Sequence, residues 1–313
     1  MQKTGNYAIV TYGDFMKKQI LGSSLLLFAT VIWGSAFVSQ SIGMDHIGPF
    51  TFQAARCFLA VICMIPVILI FDFFKKDGKS FLRRWADPRL WKAGLLCGLP
   101  LFLACNLQQV GLVETDAGKS GFLTAMYIVI VPLIGILRRR KPSIMVPISV
   151  VIAVLGLYCL SCVGVTSVSI SDLLTLGCAF MFAVQITFVD MFADNTDALR
   201  LNTIQALVCG VLSSVVVLFF EQPTWAGITA CTIPLAHTGF LSMGAAYSLQ
   251  ILGQRDLEPS TASLIMSLES VFALIGGVLI LKETMTGWEI AGCFLVFLAV
   301  ILSQIPVKVK TRT

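Results

Sequence analysis

PSTASLIMSLESVFALIGGVLIL, residues 259–281, is a long apolar run in which Glu269 is the single charged side chain. A helix needs about 20 apolar residues to cross the hydrocarbon core of a bilayer, so this run predicts a membrane-spanning helix. Nine more segments of similar character flank it along the chain. The ten predicted helices cover residues 19–41, 49–73, 91–112, 118–137, 144–164, 171–192, 198–220, 232–253, 259–281 and 286–305.

The composition excludes a water-soluble globular protein. Apolar residues make up 57% of the 313 residues, charged residues only 12%, and the mean hydropathy is +0.89. Soluble domains carry about 25% charged residues, so this chain lacks the polar surface that a soluble domain of its size requires. We predict an all-α polytopic membrane protein with ten transmembrane helices.

The chain divides into two halves of five helices with short tails. The first apolar segment follows Lys17 and Lys18 and resembles a signal peptide. It is too long for one and lacks a small-residue cleavage site, so we expect it to be retained. The predicted units are a cytoplasmic tail (1–18), a first repeat (19–164), a second repeat (171–305) and a second cytoplasmic tail (306–313).

The positive charges predict the orientation in the membrane. Of the 22 lysines and arginines, 19 fall in tails and loops on the side of the N-terminus. Lys119 and Lys282 fall on the other side, and Arg56 lies inside a predicted helix. Cytoplasmic loops of membrane proteins are enriched in Lys and Arg, so both termini are expected in the cytoplasm, in a multi-pass protein of the cell membrane. The excess of basic over acidic residues then reflects the membrane topology and indicates no nucleic-acid partner.

The two halves show a weak internal repeat. An offset of 149 residues places LFATVIWGSAFV (27–38) on LGCAFMFAVQIT (176–187), and an offset of 141 places Leu133-Ile134-Gly135 on Leu274-Ile275-Gly276. Because five is odd, successive five-helix halves enter the membrane from opposite sides. The sequence therefore predicts two inverted five-helix repeats, an architecture that transporters use with a binding site at the midplane.

The same offsets relate four pairs of polar residues within apolar helices. In each pair the residues are three apart and share one helix face. One interpretation is that they form two polar layers, one accessible from each side of the membrane. The alternative is that they are tolerated near the helix ends, at the membrane interface. The pairs are Gln53/Arg56, Asn106/Gln109, Asn202/Gln205 and Tyr247/Gln250.

Glu269 is the strongest functional candidate, because it lies near the predicted centre of its helix. A carboxyl group at that depth is costly unless it is protonated, paired or facing water. Arg56 is its best partner by charge, and a static ion pair between helices is the structural alternative. Trp33 and Tyr127 are also near mid-membrane, where an aromatic side chain either lines a cavity or packs between helices.

The sequence shows no metal or catalytic motif. The C-x-x-C spacing of Cys159 and Cys162 lies in an apolar stretch with no second pair, and His46 and His237 are isolated. Cysteine in such surroundings packs as a small hydrophobic residue. We therefore expect no metal, no catalytic residues and no cofactor.

Four stretches together resemble the EamA-type family of the drug/metabolite transporter superfamily. They are VIWGSAFV (31–38), FQAARCFLA (52–60), LQQVGLVETDAGKSGFLTAMYIVIVPLIG (107–135) and LIMSLESVFALIGGVLILKETMTGWEIAGC (264–293). The resemblance implies a ten-helix inverted-repeat transporter whose central cavity is lined by the first four helices of each half. It also implies transport of small metabolites, including amino acids, commonly outward. Glu283 matches an acidic family position, but Lys282 replaces the glycine that precedes it, so we interpret Glu283 as a loop contact.

The resulting functional prediction is a secondary transporter that exports a small metabolite, amino acid or toxic compound by alternating access. Arg56 is expected to attract a carboxylate, the amide side chains to orient polar groups, and Glu269 to bind the proton or cation if transport is coupled. No ATPase subunit is implied, and a homodimer remains open. The alternatives are a non-transporting membrane scaffold and an unrecognised intramembrane enzyme. The predicted substrate-binding residues are Trp33, Arg56, Asn106, Gln109, Tyr127, Gln185, Gln205, Tyr247, Gln250 and Glu269.

Overall fold

The computed structural model describes residues 12–75, 80–115, 117–139, 142–161, 169–282 and 285–305. Within these ranges it contains ten long helical segments and no β-strand. Short helices at Phe81–Trp85, Ala193–Asn195 and Trp225–Ala230 lie in the connections. In chain order the long segments are α1 (Tyr12–Met44), α2 (Pro49–Phe74), α3 (Pro88–Gly111), α4 (Ala117–Ala125 and Tyr127–Leu137), α5 (Met145–Ser161), α6 (Ile170–Phe192), α7 (Ala198–Phe220), α8 (Thr232–Ala236, His237–Ala246 and Tyr247–Gln254), α9 (Pro259–Met266, Leu268–Gly276 and Gly277–Leu281) and α10 (Gly287–Ser303).

Most of these helices are long enough to cross a membrane. Seven helices of the described chain qualify by length and composition, namely α1, α2, α3, α4, α6, α7 and α9. α5 and α10 are shorter apolar helices. α8 is continuous but changes to a π-helix over His237–Ala246. The chain is an all-α polytopic membrane protein, as its composition predicted, and the number of ten crossings stays a prediction.

Several helices extend beyond the predicted apolar segments. α1 begins at Tyr12 and ends at Met44, beyond the predicted 19–41, and α3 begins at Pro88 before the predicted 91. The start of α3 is defined by Asp87, whose side chain accepts a hydrogen bond from the Arg89 amide at 2.9 Å. Pro88 at the first helical position fits because proline has no N–H to leave unpaired there. Hydropathy marks only the part within hydrocarbon, whereas the caps decide where the helix begins.

The two halves pack against each other in a symmetric pattern. α1 packs on α8 and α9 of the second half, and its counterpart α6 packs on α3 and α4 of the first half. α2 packs on its own counterpart α7, and α5 packs on its own counterpart α10. Exchanging the halves leaves this pattern unchanged, as a two-fold axis between them requires. This is the packing pattern that an internal repeat predicts.

The contact between α2 and α7 shows that the repeats are inverted. Thr51 at the start of α2 contacts Glu221 after the end of α7, whereas Asp72 near the end of α2 contacts Arg200 near the start of α7. The two helices are therefore antiparallel. α1 and α6 each precede their neighbour by a short reversal, so they also run in opposite directions. The second half is upside down relative to the first.

α4 and α9 are both interrupted near their centres. α4 breaks at Met126 and α9 at Ser267, and these positions differ by the 141 residues that align the repeats. At each break the chain makes a tight turn, with Val129 N donating to Met126 O at 3.1 Å and Ser270 N donating to Ser267 O at 3.2 Å. Interrupted helices at mid-membrane commonly border the binding sites of transporters.

Candidate functional site

A central cavity of about 460 Å³ lies between the two halves. Its walls come from α1, α2, α3 and α4 of the first half and from α6, α8 and α9 of the second. The resemblance also implied α7, which contributes no lining residue within the described chain. The cavity volume includes space that is open to solvent. The lining side chains are Trp33, Ala36, Phe37, Gln40, Arg56, Gln108, Tyr127, Phe182, Gln185, Ile186, Ser242, Tyr247, Gln250, Met266 and Glu269.

Arg56 places a fixed positive charge on the cavity wall. Its side chain is buried, and Nε donates to Gln53 Oε1 at 2.7 Å while Nη1 donates to Gln40 Oε1 at 2.5 Å. Both partners are neutral, and among the described residues no carboxylate lies within 4.0 Å of the guanidinium. The two glutamines therefore orient the guanidinium without neutralising it. A buried cation without a counter-ion favours an anionic ligand group.

Glu269 is held by Tyr127 rather than by Arg56. Tyr127 Oη donates to Glu269 Oε1 at 2.9 Å, and both side chains are buried on the cavity wall. Tyr127 directly follows the break in α4, and Glu269 lies two residues after the break in α9. The hydrogen bond therefore joins the two interrupted helices across the approximate two-fold axis. The ion pair with Arg56, which the sequence left open as the structural alternative, is absent from the described residues, although both groups face the same cavity.

A network of amide side chains forms the wall on the side of α6 and α8. Gln250 Nε2 donates to Gln185 Oε1 at 3.1 Å, and Gln185 Nε2 donates to Gln205 Oε1 at 3.3 Å. Gln205 Nε2 in turn donates to Asn202 Oδ1 at 2.9 Å. Gln185 and Gln205 both donate and accept, and Gln250 donates, so the chain of hydrogen bonds fixes the orientation of the two glutamines that face the cavity.

Two polar atoms of cavity-lining side chains, one on α1 and one on α8, are unpaired within the described part of the chain. Trp33 Nε1 and Gln250 Oε1 are buried and have no hydrogen-bond partner among the described residues. Trp33 also packs edge-on against Tyr247, with ring centroids 5.1 Å apart. An unpaired buried donor or acceptor costs about 1–3 kcal/mol, so a bound molecule that satisfies both atoms recovers that free energy.

A comparison with family models matches this chain twice. The model described as the EamA-like transporter family covers residues 20–162 and again residues 169–304. The chain belongs to the EamA-like transporter family. It is therefore a multi-pass membrane transporter of the drug/metabolite transporter superfamily, as the four sequence stretches predicted.

Curated proteins and a solved structure resemble this EamA-like transporter over most of its length. A protein of Archaeoglobus fulgidus named "Uncharacterized transporter" is 30% identical over 291 residues, which are 93% of this chain and 88% of that protein. The "Uncharacterized transporter YoaV" of Bacillus subtilis is 23% identical over 287 residues, with 90% and 94% covered. A crystal structure with 16% identity and a TM-score of 0.74 covers 92% of this chain and 96% of its own, and so shows the same fold.

The structure brings together seven of the ten predicted site residues of this EamA-like transporter. Trp33, Arg56, Tyr127, Gln185, Tyr247, Gln250 and Glu269 line the cavity. The other three lie behind the wall. Asn106 Nδ2 donates to Ser213 Oγ at 2.8 Å, Gln109 Nε2 contacts Met44 Sδ at 3.1 Å, and Gln205 supports Gln185. Substrate binding by the seven residues stays a prediction.

Of the four predicted polar pairs, Tyr247/Gln250 faces the cavity, Gln53/Arg56 is split, and the other two pairs lie behind the wall. Arg56, Tyr247 and Gln250 reach the cavity, whereas the remaining members hold neighbouring helices together. Gln53 is such a case, because its Nε2 contacts Cys209 Sγ at 3.1 Å on α7. Asn202 is another, because its Nδ2 donates to Ser248 Oγ at 2.9 Å on α8. Whether the layers are wetted from opposite sides stays a prediction.

Sequence reasoning missed Gln40, Gln108 and Ser242 on the cavity wall. A signal for Gln40 exists, because it follows Trp33 by seven residues and so lies on the same face of α1. No comparable signal marks Gln108, because it belongs to none of the polar pairs that the repeat relates, unlike its neighbours Asn106 and Gln109. Cys162 and Glu283 lie outside the described residues, and no cluster of metal-ligating side chains occurs within them.

Proposed function

We propose that this EamA-like transporter is a secondary transporter that exports a small metabolite or toxic compound by alternating access. The observation that carries the proposal is the cavity that both inverted halves share, with the Arg56 guanidinium and the Glu269 carboxyl on its wall. Inverted repeats support two related conformations that expose one central site to opposite sides in turn. A cavity at the approximate two-fold axis is where such a site is needed.

The chemistry of the wall favours a small solute that carries both an acidic and a basic group, such as an amino acid. Arg56 offers a charge-assisted donor to a carboxylate, and Trp33 Nε1 offers a neutral one. Glu269 and the free Gln250 Oε1 offer acceptors to an ammonium group or to hydroxyl groups. Phe182 and Met266 provide apolar surface for a side chain. Glu269 is also the candidate site for a coupling proton or cation.

The test is transport by the purified protein in liposomes. A thermal-shift screen with amino acids, sugars, nucleosides and cationic drugs first selects solutes that stabilise the folded protein. We expect at least one selected amino-acid-like solute to cross proteoliposome membranes faster than protein-free membranes, and faster still with an imposed pH gradient. A Trp33→Ala variant, which removes the free Nε1 donor, serves as the matched control and should transport more slowly. If no solute of the screen moves faster than through protein-free liposomes, the proposal is wrong and a scaffold role is favoured.

We also propose that the protein resides in the cell membrane with both termini in the cytoplasm. The uneven distribution of Lys and Arg supports this orientation. The exposed residues Arg83, between α2 and α3, and Pro223, between α7 and α8, are then on opposite sides. A membrane-impermeant thiol reagent should label Pro223→Cys in intact cells, but Arg83→Cys only after permeabilisation. The wild-type chain is the background control, and labelling of Arg83→Cys in intact cells would reverse the proposed orientation.

A further inference from the structure

α2 and α7 form an antiparallel pair that is tightly packed between its two ends, where Cys57 of α2 meets Gly210 of α7. A Cβ atom added to Gly210 would lie 3.0 Å from Cys57 Cβ, so glycine permits this close approach. One turn away, Gln53 Nε2 contacts Cys57 Sγ at 3.2 Å and Cys209 Sγ at 3.1 Å. Arg56, which holds its charge over the cavity, lies next to these residues on α2 and donates to Gln53. A tilt of α2 about the Gly210–Cys57 contact changes the orientation of the Arg56 guanidinium.

One end of the pair is joined by an ion pair between Asp72 and Arg200. The Asp72 carboxylate accepts from Arg200 Nη2, and Arg200 Nη1 also donates to Asp197 Oδ2 at 3.1 Å. The Arg200 side chain is buried, and its guanidinium carbon lies 5.8 Å from the Phe81 ring centroid and 5.5 Å from the Trp85 ring centroid. The charge is thus covered by two aromatic faces, which strengthens its electrostatic contacts.

The opposite end is joined by a second carboxylate. Glu221, directly after α7, accepts from the Phe50 amide at 2.9 Å and from the Thr51 amide at 2.8 Å. Its Oε2 also accepts from Thr51 Oγ1 at 2.5 Å. These donors form the first turn of α2, where unpaired N–H groups and the helix dipole favour a negative charge.

The two end contacts are equivalent by the internal repeat. Asp72 and Glu221 differ by 149 positions, and Thr51 and Arg200 also differ by 149 positions, which is the offset that aligns the first helices of the halves. In each half, a carboxylate at the end of the second helix therefore contacts the third residue of the other half's second helix. The contacts repeat although their partners differ in chemistry, a charged guanidinium at one end and a hydroxyl with two amides at the other.

We propose that the α2–α7 pair is a gate that rocks about the Gly210–Cys57 contact, and that the Asp72–Arg200 and Glu221–Thr51 contacts open in alternation. When two antiparallel helices tilt about a close contact that lies between their ends, one pair of ends separates and the other pair is pressed together. The proposal rests on the alternating access proposed above. It assigns gating to four residues that do not line the cavity.

Lys75 provides a matched control at the Asp72 end. Lys75 Nζ lies 2.8 Å from Asp197 Oδ2, and its side chain is 43% exposed. Burial favours a raised pKa for Asp197, but the hydrogen bonds from Lys75 and from the Arg200 amide outweigh it and lower the pKa. Exposed ion pairs contribute little to stability, so loss of Lys75 should not loosen the helix ends.

Hydrogen–deuterium exchange of the protein in nanodiscs tests the gate without any substrate. The last turn of α2 lies at the Asp72 end, and the last turn of α7 lies at the Glu221 end. We expect Asp72→Asn to accelerate exchange in the last turn of α2 by about ten-fold, the effect of losing one charge-assisted hydrogen bond, and to slow it in the last turn of α7. Glu221→Gln should give the reverse pattern, and Lys75→Ala should change neither.

If hydrogen exchange becomes faster only at the mutated end, or changes at neither end, the proposal is wrong and the two contacts are static. If Asp72→Asn does not fold, Phe81→Ala removes part of the cover of Arg200 without stranding a charge and must give the same reciprocal pattern. The result is separable from the transport test. A reciprocal pattern in a protein that moves no solute would retain the gate and reject the proposed function, whereas transport without the pattern would do the opposite.

Discussion

Glu269→Gln is expected to abolish gradient-driven accumulation of substrate while the protein remains folded. Glutamine keeps the size of the side chain and an oxygen that can accept from Tyr127 Oη, which lies 2.9 Å from the carboxylate. It cannot bind and release a proton. If Glu269 is the coupling site, accumulation driven by a pH gradient should fall to the level of protein-free liposomes. Uptake of labelled substrate and the thermal unfolding midpoint measure the two effects separately.

Tyr127→Phe is the matched control for this prediction, because it removes the hydrogen bond and leaves the carboxyl in place. We expect it to retain gradient-driven accumulation at a lower rate. Two results would contradict a coupling role for Glu269. Unchanged accumulation and stability in Glu269→Gln would mean that the carboxyl is only tolerated beside water, and a loss of stability alone would mean that it is a static contact between α4 and α9.

Arg56→Gln is expected to raise the substrate concentration for half-maximal transport by about ten- to hundred-fold, the usual cost of one charge-assisted hydrogen bond. Arg56 is the one cation among the described residues that line the cavity. Concentration-dependent flux and ligand-induced thermal shifts both measure the change. Because the hydrogen-bond partners of Arg56, Gln40 and Gln53, are neutral, the variant leaves no opposite charge unpaired and should fold.

Arg56→Lys separates the charge of this residue from its geometry. Lysine keeps the positive charge but lacks the planar fork that reaches two glutamines and a ligand at once, so we expect an intermediate loss of affinity. If both variants transport with unchanged half-saturation, the substrate does not contact Arg56. A gain in affinity of Arg56→Gln for cationic solutes would indicate that the cavity selects against anions instead.

The fold was predictable from the sequence because the bilayer imposes a simple rule on each segment. A helix in hydrocarbon must be apolar over a fixed length, and the runs that satisfy this rule appear as helices at nearly the predicted positions. The breaks at Met126 and Ser267 were not predictable, because neither residue is proline or glycine. They arise where the two halves meet around the cavity, and no local sequence preference encodes that contact.

The site was predictable in part, for a related reason. A polar residue in an apolar helix must face protein or water, which is why Arg56, Gln250 and Glu269 were identifiable without a structure. Polarity does not tell a residue that faces the cavity from one that joins two helices, and Asn106 and Gln109 belong to the second kind. Charge likewise suggested the wrong neighbour for Glu269, since Tyr127 lies closer across the axis.

The contact between Asp72 and Arg200 could not be predicted from the distribution of charged residues along the sequence. In the count of positive charges Arg200 is one of the basic residues on the cytoplasmic side, yet its side chain is buried within the first turn of α7. Its partner follows a run of isoleucine and leucine at the end of α2, where hydropathy indicates only the membrane boundary. Asp72 and Glu221 are recognised as equivalent because the repeat offset relates both them and their contact partners, although Arg200 and Thr51 differ in residue type.

The carboxyl at the break of α9 has no equivalent in α4, because the offset of 141 places Glu269 on Ile128. If Glu269 is the coupling site, one proton at most can bind there in each transport cycle. One proton moving down a gradient of one pH unit supplies about 1.4 kcal/mol, which sustains about a ten-fold concentration ratio of a neutral solute. A membrane potential adds about 2.3 kcal/mol per charge for each 100 mV. With Glu269 as its coupling site, the transporter would be driven by one ion per cycle, which suits the relief of a surplus inside the cell better than the building of a steep concentration difference.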